Sequence, residues 1–204
     1  MYKANELIFN SEEVFFTSDT HFKHKNIIDY SNRLFNTIEE MEEVFINNWN
    51  KVIPIDAIVF HAGDFAFTGN IEIIKNLISR LNGKIFLALG NHDYQNNYDR
   101  LSIRELFYAV HDIYNIQVED DELEQNQFIT ICHYPMLAWS KSHMGSWQAF
   151  GHLHLSKTTT SNEGWVRNHL RATSYDVGVD NNNYTPVSYQ QLKTIITRQC
   201  LKAQ

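Results

Sequence analysis

Residues that can bind metal or move protons recur at one kind of place in this sequence, just after a short apolar run. Phe15-Phe16-Thr17 leads into Asp19 and His21, and Ile58-Val59-Phe60 leads into Gly63-Asp64. Lys84-Ile85-Phe86-Leu87-Ala88 leads into Gly90-Asn91-His92-Asp93. Phe128-Ile129-Thr130-Ile131-Cys132 leads into His133, and Trp147-Gln148-Ala149-Phe150 into Gly151-His152-Leu153-His154. Asp-x-His and His-x-His set two donors two positions apart, and residues i and i+2 of extended backbone share a face. Both can then reach one ion, or one each of a close pair. Carboxylate, amide and imidazole donors form a mixed hard and borderline set that suits Mn²⁺, Fe or Zn²⁺ better than Ca²⁺. Asp19, His21, Asp64, Asn91, His133, His152 and His154 are too many for one ion and enough for two. None is a thiolate, so a structural zinc site is not expected.

The elements that must carry these residues alternate over the first ninety positions. Val14–Thr17, Asp56–His61 and Lys84–Leu89 read as strands. Lys25–Tyr30 reads as a short helix. Thr37 with Glu40 forms a capping-box signature ahead of Met41, Val44, Phe45, Trp49 and Val52 at helical spacing. Asn70 caps a second helix with the stripe Ile74, Leu77, Ile78 and Leu81, and Gly83 follows it. Strand, helix, strand, helix, strand is the pattern of a parallel sheet with helices on its faces, and such sheets place ligands at the carboxyl ends of strands. The second half is richer in strands. Ile113–Val118 alternates, with Ile113, Ile116 and Val118 as the apolar set. Gln127–Cys132, Trp147–Phe150 and Tyr175–Val179 are further strands. Glu119–Glu124 reads as a solvated acidic turn and Lys157–Asn168 as a hairpin or loop. Ser188 with Gln191 opens a last helix through Leu192, Ile195 and Ile196.

With 204 residues, 43% of them hydrophobic, and no linker or repeat, residues 1–204 are expected to form a single domain. The net charge of −7 argues against a broad basic surface for nucleic acid or membrane. Cys132 and Cys200 make neither a disulfide framework nor a zinc-finger spacing. With no secretory leader or membrane-length apolar run, the expected compartment is the cytoplasm.

The ordered series Asp19-x-His21, Gly63-Asp64, Gly90-Asn91-His92-Asp93, His133 and Gly151-His152-x-His154 resembles the calcineurin-like metallophosphoesterase superfamily. Phe16–Phe22, His24–Ile28, Trp49-Asn50, His133-Tyr134-Pro135 and Val177–Asp180 with Pro186 are similar to a group of small, single-domain bacterial and phage phosphoesterases. Together these stretches span nearly the whole chain. The resemblance implies an α/β fold, a four-layer α/β/β/α sandwich with two mixed β-sheets flanked by helices, and a dimetal site between the sheet ends. It implies one ion on Asp19, His21 and His154, a second on Asn91, His133 and His152, and Asp64 bridging both. Manganese comes first, with iron or zinc the alternatives. His92 would stay off the metal and protonate the leaving oxygen, with Asp93 orienting it. Hydrolysis would proceed by in-line attack on phosphorus of a hydroxide held between the ions.

Around this set, His24 and Arg33 are candidates to touch substrate phosphate, as Asn91 is. Trp139, His143 and Trp147 could form a substrate wall or simply pack. His61, Cys132 and Asp180 read as structural. The expected partner is a small phosphate ester or a nucleotide, with a diester first and a monoester or nuclease substrate next. The rival from another class is a non-catalytic metal-binding scaffold, against which the intact His92 and full ligand set argue.

Overall fold

The computed structural model describes residues 7–95, 103–154, 166 and 168–203. In chain order the elements are β1 (Leu7–Asn10), β2 (Val14–Thr17), α1 (Ile27–Tyr30), α2 (Ile38–Val52), β3 (Ile58–His61), α3 (Ile71–Ser79), β4 (Lys84–Ala88) and α4 (Asn91–Gln95). Then come β5 (Ala109–His111), β6 (Ile113–Glu119), β7 (Gln127–Cys132), β8 (Trp147–Phe150), β9 (Ser174–Asp176), β10 (Val187–Ser188) and α5 (Tyr189–Lys202).

β2 and β3 are buried at every position, and β4 at all but Lys84, as unbroken apolar runs in a covered parallel sheet must be. They lie side by side in a sheet of order β10-β2-β3-β4-β5, in which β2 to β5 run parallel and β10 antiparallel to β2. The second sheet has order β1-β6-β7-β8-β9, parallel except where β6 meets β7. Two mixed sheets flanked by helices are the expected α/β architecture. Phe15, Val59, Ile85 and Leu87 face α2 and α3. Phe16, Phe60 and Phe86 face the second sheet and meet Tyr114, Ile116, Ile129 and Ile131 there.

The helix signals in the sequence have physical counterparts. Thr37 Oγ1 accepts from the Glu40 N–H, while the Glu40 carboxylate reaches back one residue further, to the N–H of Asn36. α2 buries Met41, Phe45, Ile46 and Trp49. Asn70 Oδ1 accepts from Glu72 and Ile73 at the start of α3. Ser188 and Gln191 complete a reciprocal capping box for α5, which buries Tyr189, Leu192 and Ile196 in the core between the sheets.

Several expectations need correction. The inward set of β6 is Tyr114, Ile116 and Val118, and Ile113 points outward at 46% exposure. The aromatic ring of Tyr114 fills the inter-sheet space against Phe60 and sets that register. The last predicted strand stops at Asp176, and Val179–Asn181 forms a short 3₁₀ turn. β1 and β10 were not expected, since runs of four and two residues carry almost no periodicity. Asp120, in the acidic turn, is buried and accepts from Tyr189 Oη at 2.8 Å and Lys193 Nζ at 2.6 Å. The loop expected at Lys157–Asn168 lies outside the described residues apart from positions 166 and 168.

His61 closes β3 on the helix-facing side, fully buried beside Trp49 and Phe65. The hydroxyl of Thr20 donates to the Phe65 carbonyl at 2.8 Å, so the 3.0 Å contact between Thr20 Oγ1 and His61 Nε2 needs the ring to donate. Burial lowers its pKa from 6.5 to about 3. The unfolded chain takes up this proton below about 6.5 and the native chain does not until about 3. The His61 contribution is therefore complete above that window and is lost as the pH falls through it. His61→Gln keeps a donor and removes the titration. Urea unfolding from pH 6 to pH 4 is expected to show wild type losing up to about 1.4 kcal/mol more per pH unit than the variant. Parallel profiles would refute this account.

Candidate active site

Parallel pairing brings the carboxyl ends of β2, β3 and β4 together, and the same holds for β7, β8 and β9. The two sheets meet at these ends. Ser18 and Gly178 form an isolated parallel bridge, and the Val179 N–H donates to the Ser18 carbonyl at 3.1 Å. Each predicted turn then presents its polar residues to one shared space. The approach is close enough to require glycine. A Cβ on Gly90 would collide with the Asp64 carboxylate, and one on Gly151 would collide with Ser18 Oγ and the Asp19 carboxylate. Gly90 is needed for this closeness rather than for the free exit from the strand that its position suggests.

The backbone itself is unusual here. Asp19, His21, Asp64, His152 and His154 all have positive φ, between 46° and 72°. Non-glycine residues pay for this conformation, at about 1–3 kcal/mol each, and it clusters at functional sites. The compensation is a set of backbone N–H groups turned onto carboxylates. The His152 N–H lies 3.1 and 2.9 Å from the two oxygens of Asp19. The His92 N–H donates to Asp64 Oδ1 at 2.8 Å. Asp93 accepts from the N–H groups of Asp64 (2.7 Å), Phe65 (3.1 Å) and Gly90 (2.9 Å).

The ligand atoms converge in groups that could hold metal ions. Asp19, His21 and His154 form one such group, and Asp19, Asp64 and His133 another. His21, Asp64 and His92 form a third. His21 Nε2 lies 3.2 Å from His154 Nε2. His154 Nδ1 donates to Asp180 Oδ2 at 2.7 Å. His133 Nδ1 donates to the Ala62 carbonyl at 2.8 Å, which leaves its Nε2 lone pair facing Asn91 Oδ1 at 3.0 Å. Lone pairs facing one another at these distances repel unless a proton or a cation lies among them. The His21 Nδ1 atom is buried with no hydrogen bond. This donor set fits divalent transition-metal ions. His152 lies outside these groups, its ring 5.0 Å from that of His133 and 4.8 Å from that of Tyr134.

Burial dominates the electrostatics. It holds His21 well below the ordinary histidine value, with the neighbouring charges of His154 and Arg33 adding to the effect. Burial likewise lowers His92 and His152. It raises Asp64, with opposition from His133 and reinforcement from Asp19 and Asp93. Asp93 rises to about 6 through burial, although three backbone donors oppose the shift. His154 goes the other way: burial lowers it, but its hydrogen bond to Asp180 and the charge of Asp19 raise it overall.

Other predicted residues fall in different places. His24 stacks on Phe67 at 4.1 Å and stands 6.0 Å from the His92 ring, at the site. Arg33 is not free to meet substrate, because its side chain is fully buried and its donors face Asp180, the Asp19 and Thr20 carbonyls and the Met41 sulfur. The Asp93 carboxylate is engaged by backbone N–H groups where the His92 ring was expected. Trp139 donates to the Ser146 carbonyl, and Trp147 stacks on Tyr189 in the core, so both pack. His143 is exposed on a short 3₁₀ turn. Cys132 is buried, as expected. Sequence reasoning missed Ser31, Phe67 and Tyr134 and underrated Asp180. The link of Ser31 and Asp180 to the site is purely tertiary, Ser31 lying 123 and Asp180 26 positions from His154.

Known proteins are similar to this chain. The uncharacterized protein MJ1445 of Methanocaldococcus jannaschii is 43% identical over 82 residues, which is 40% of this chain and 47% of that protein. The chain thus spans about half the length of this curated relative. The crystal structure of AQ665, a protein of unknown function from Aquifex aeolicus, aligns with a TM-score of 0.65 at 23% identity, over 89% of this chain and 98% of that one. That likeness is one of fold. The family model for calcineurin-like phosphoesterases matches residues 13–168, a span that holds Asp19, Asp64, Asn91, His133 and His154. The chain belongs to the calcineurin-like phosphoesterase family.

Proposed function

We propose that this phosphoester hydrolase uses two metal ions and acts on phosphodiesters. The observation that carries this reading is the position of Asp64 Oδ2, which lies 3.5 Å from His21 Nε2 and 3.5 Å from His133 Nε2. One carboxylate oxygen equidistant from two imidazoles on separate strand ends supports a bridge between two ions. Asp19, His21 and His154 would hold the first and Asn91, His133 and His152 the second, with Asp64 shared. Bound there, two divalent ions would screen the phosphate charge and lower the pKa of a water to near 7. Manganese is favoured by the oxygen and imidazole donors, with iron and zinc the alternatives.

The chain's own groups do the rest. His92 stays outside the ligand set in this reading. Its N–H on Asp64 Oδ1 fixes it beside the bridging carboxylate, and its ring lies 5.2 Å from that of His21. Burial lowers the pKa of the ring. An incoming phosphate anion opposes that shift, so the substrate brings the charge that lets His92 carry a proton to the leaving oxygen. Asp93 holds the turn, not the ring.

Aromatic faces flank the cluster. Phe67, 38% exposed, packs against His24 and His92, and Tyr134, 45% exposed, against His133 and His152. They favour an ester carrying an aryl or nucleoside group. Without a basic tract to track a backbone, a small substrate is preferred over a long nucleic acid.

With Mn²⁺, bis-p-nitrophenyl phosphate is expected to turn over faster than p-nitrophenyl phosphate. The reverse order would remove the diester preference. His92→Ala is expected to lose about 10²–10⁴-fold in kcat with unchanged metal content. Retention of full rate would exclude His92 as the acid. Phe67→Ala should raise KM for the diester by roughly 5- to 100-fold, the equivalent of about 1–3 kcal/mol of stacking, and leave kcat nearly unchanged. A fall in kcat alone would mean that Phe67 only packs.

A further inference from the structure

Arg33 and Asp180 meet across 147 positions of sequence in a two-point pair, Nε to Oδ1 at 2.8 Å and Nη2 to Oδ2 at 2.9 Å. The same guanidinium donates to the carbonyl of Asp19 at 2.7 Å and of Thr20 at 3.2 Å. Its carbon lies 5.3 Å from the centre of the Phe45 ring. The other end of the pair faces the site. Asp180 Oδ2 accepts the Nδ1 proton of His154 at 2.7 Å, and Ser31 Oγ stands 3.1 Å from the same nitrogen. That leaves His154 Nε2 aimed at the space it shares with His21 Nε2 and Asp19 Oδ1.

We infer that Arg33 and Asp180 are positioning residues for one half of the metal centre, Asp180 fixing the ring and tautomer of His154, and Arg33 fixing both Asp180 and the left-handed Asp19 turn. The assignment rests on the two-metal reading above. A buried ion pair is a weak source of stability, because apolar residues of similar shape do as well or better. The surroundings of Arg33 are already apolar, with Met41 and Phe45 against it. The pair supplies what an apolar residue cannot, a directed, charged acceptor at His154 Nδ1. An imidazole whose second nitrogen donates to a carboxylate is oriented and made more basic towards a metal. The other half of the centre is built differently. His133 there donates to a neutral carbonyl, that of Ala62. Loss of the carboxylate should therefore weaken one ion and spare the other.

Asp180→Asn offers one oxygen where Arg33 and His154 need two. The test is calorimetric titration of the metal-free full-length protein with Mn²⁺, with the apo melting temperature measured alongside. Wild type is expected to bind two ions. The variant should bind one of them about 10- to 100-fold more weakly and the other within about two-fold. A double variant, Arg33→Met with Asp180→Asn, removes the unpaired buried charge that could unfold the single one, and should show the same one-sided loss. In zinc-loaded, ¹⁵N-labelled wild type, the His154 ring is expected to keep its proton on Nδ1, a readout that needs no variant to fold. Equal weakening of both ions, weakening of neither, or a His154 ring without its Nδ1 proton would overturn the assignment and leave the two-metal reading standing. Wild type that takes up no metal would overturn the two-metal reading, and the assignment with it.

Discussion

Peptide N–H groups turned onto buried carboxylates hold the end of this molecule together. Asp93 gathers the N–H groups of Asp64, Phe65 and Gly90, Asp64 takes that of His92, and Asp19 takes that of His152. The first two carboxylates tie neighbouring strand ends of one sheet, and the third ties the two sheets to each other. Hydrogen bonds to charged groups contribute about 1.5–3 kcal/mol each, which is the scale of the left-handed backbone they offset. The strain and its compensation come as one unit. The chain reverses at these strand ends through left-handed residues, and Asp19, His21, Asp64, His152 and His154 among them carry side chains of the site.

The electrostatic state of the cluster follows from that closeness. Carboxylates crowded together away from water resist ionisation, and imidazoles in the same space resist protonation. Asp64 and Asp93 are pushed up and His21, His92 and His152 pushed down, all chiefly by burial. Such a cluster is rich in lone pairs. Divalent ions are the natural complement, and an anionic ester the natural complement of the ions.

Much of this was legible in the sequence, and the limits have physical causes. Apolar runs ending in Asp, Asn and His located the strand ends, because parallel strands buried on both faces leave a continuous signal. The capping residues Thr37, Asn70 and Ser188 gave the helix starts, since a cap is a local interaction. Arg33 was misplaced because sequence shows a charge and not where it goes. Its partner is 147 residues away, and nothing local separates a buried guanidinium from an exposed one. Asp93 was misread for a related reason. A carboxylate next to a histidine suggests a side-chain pair, whereas the turn rotates its oxygens onto the backbone. Ile113 was assigned inward on apolarity alone, and the larger Tyr114 took the core position.

The single hydrogen bond from the His92 peptide to Asp64 Oδ1 has a mechanical meaning. One oxygen of this carboxylate faces the imidazoles of two strand ends, and the other grips the segment that bears His92. The carboxylate thus acts as an interlock. A rotation that drew Oδ2 out of the centre would swing Oδ1 as well and carry the His92 segment with it. The position of the His92 segment is thus tied to the orientation of one carboxylate, and whatever turns Asp64 moves both.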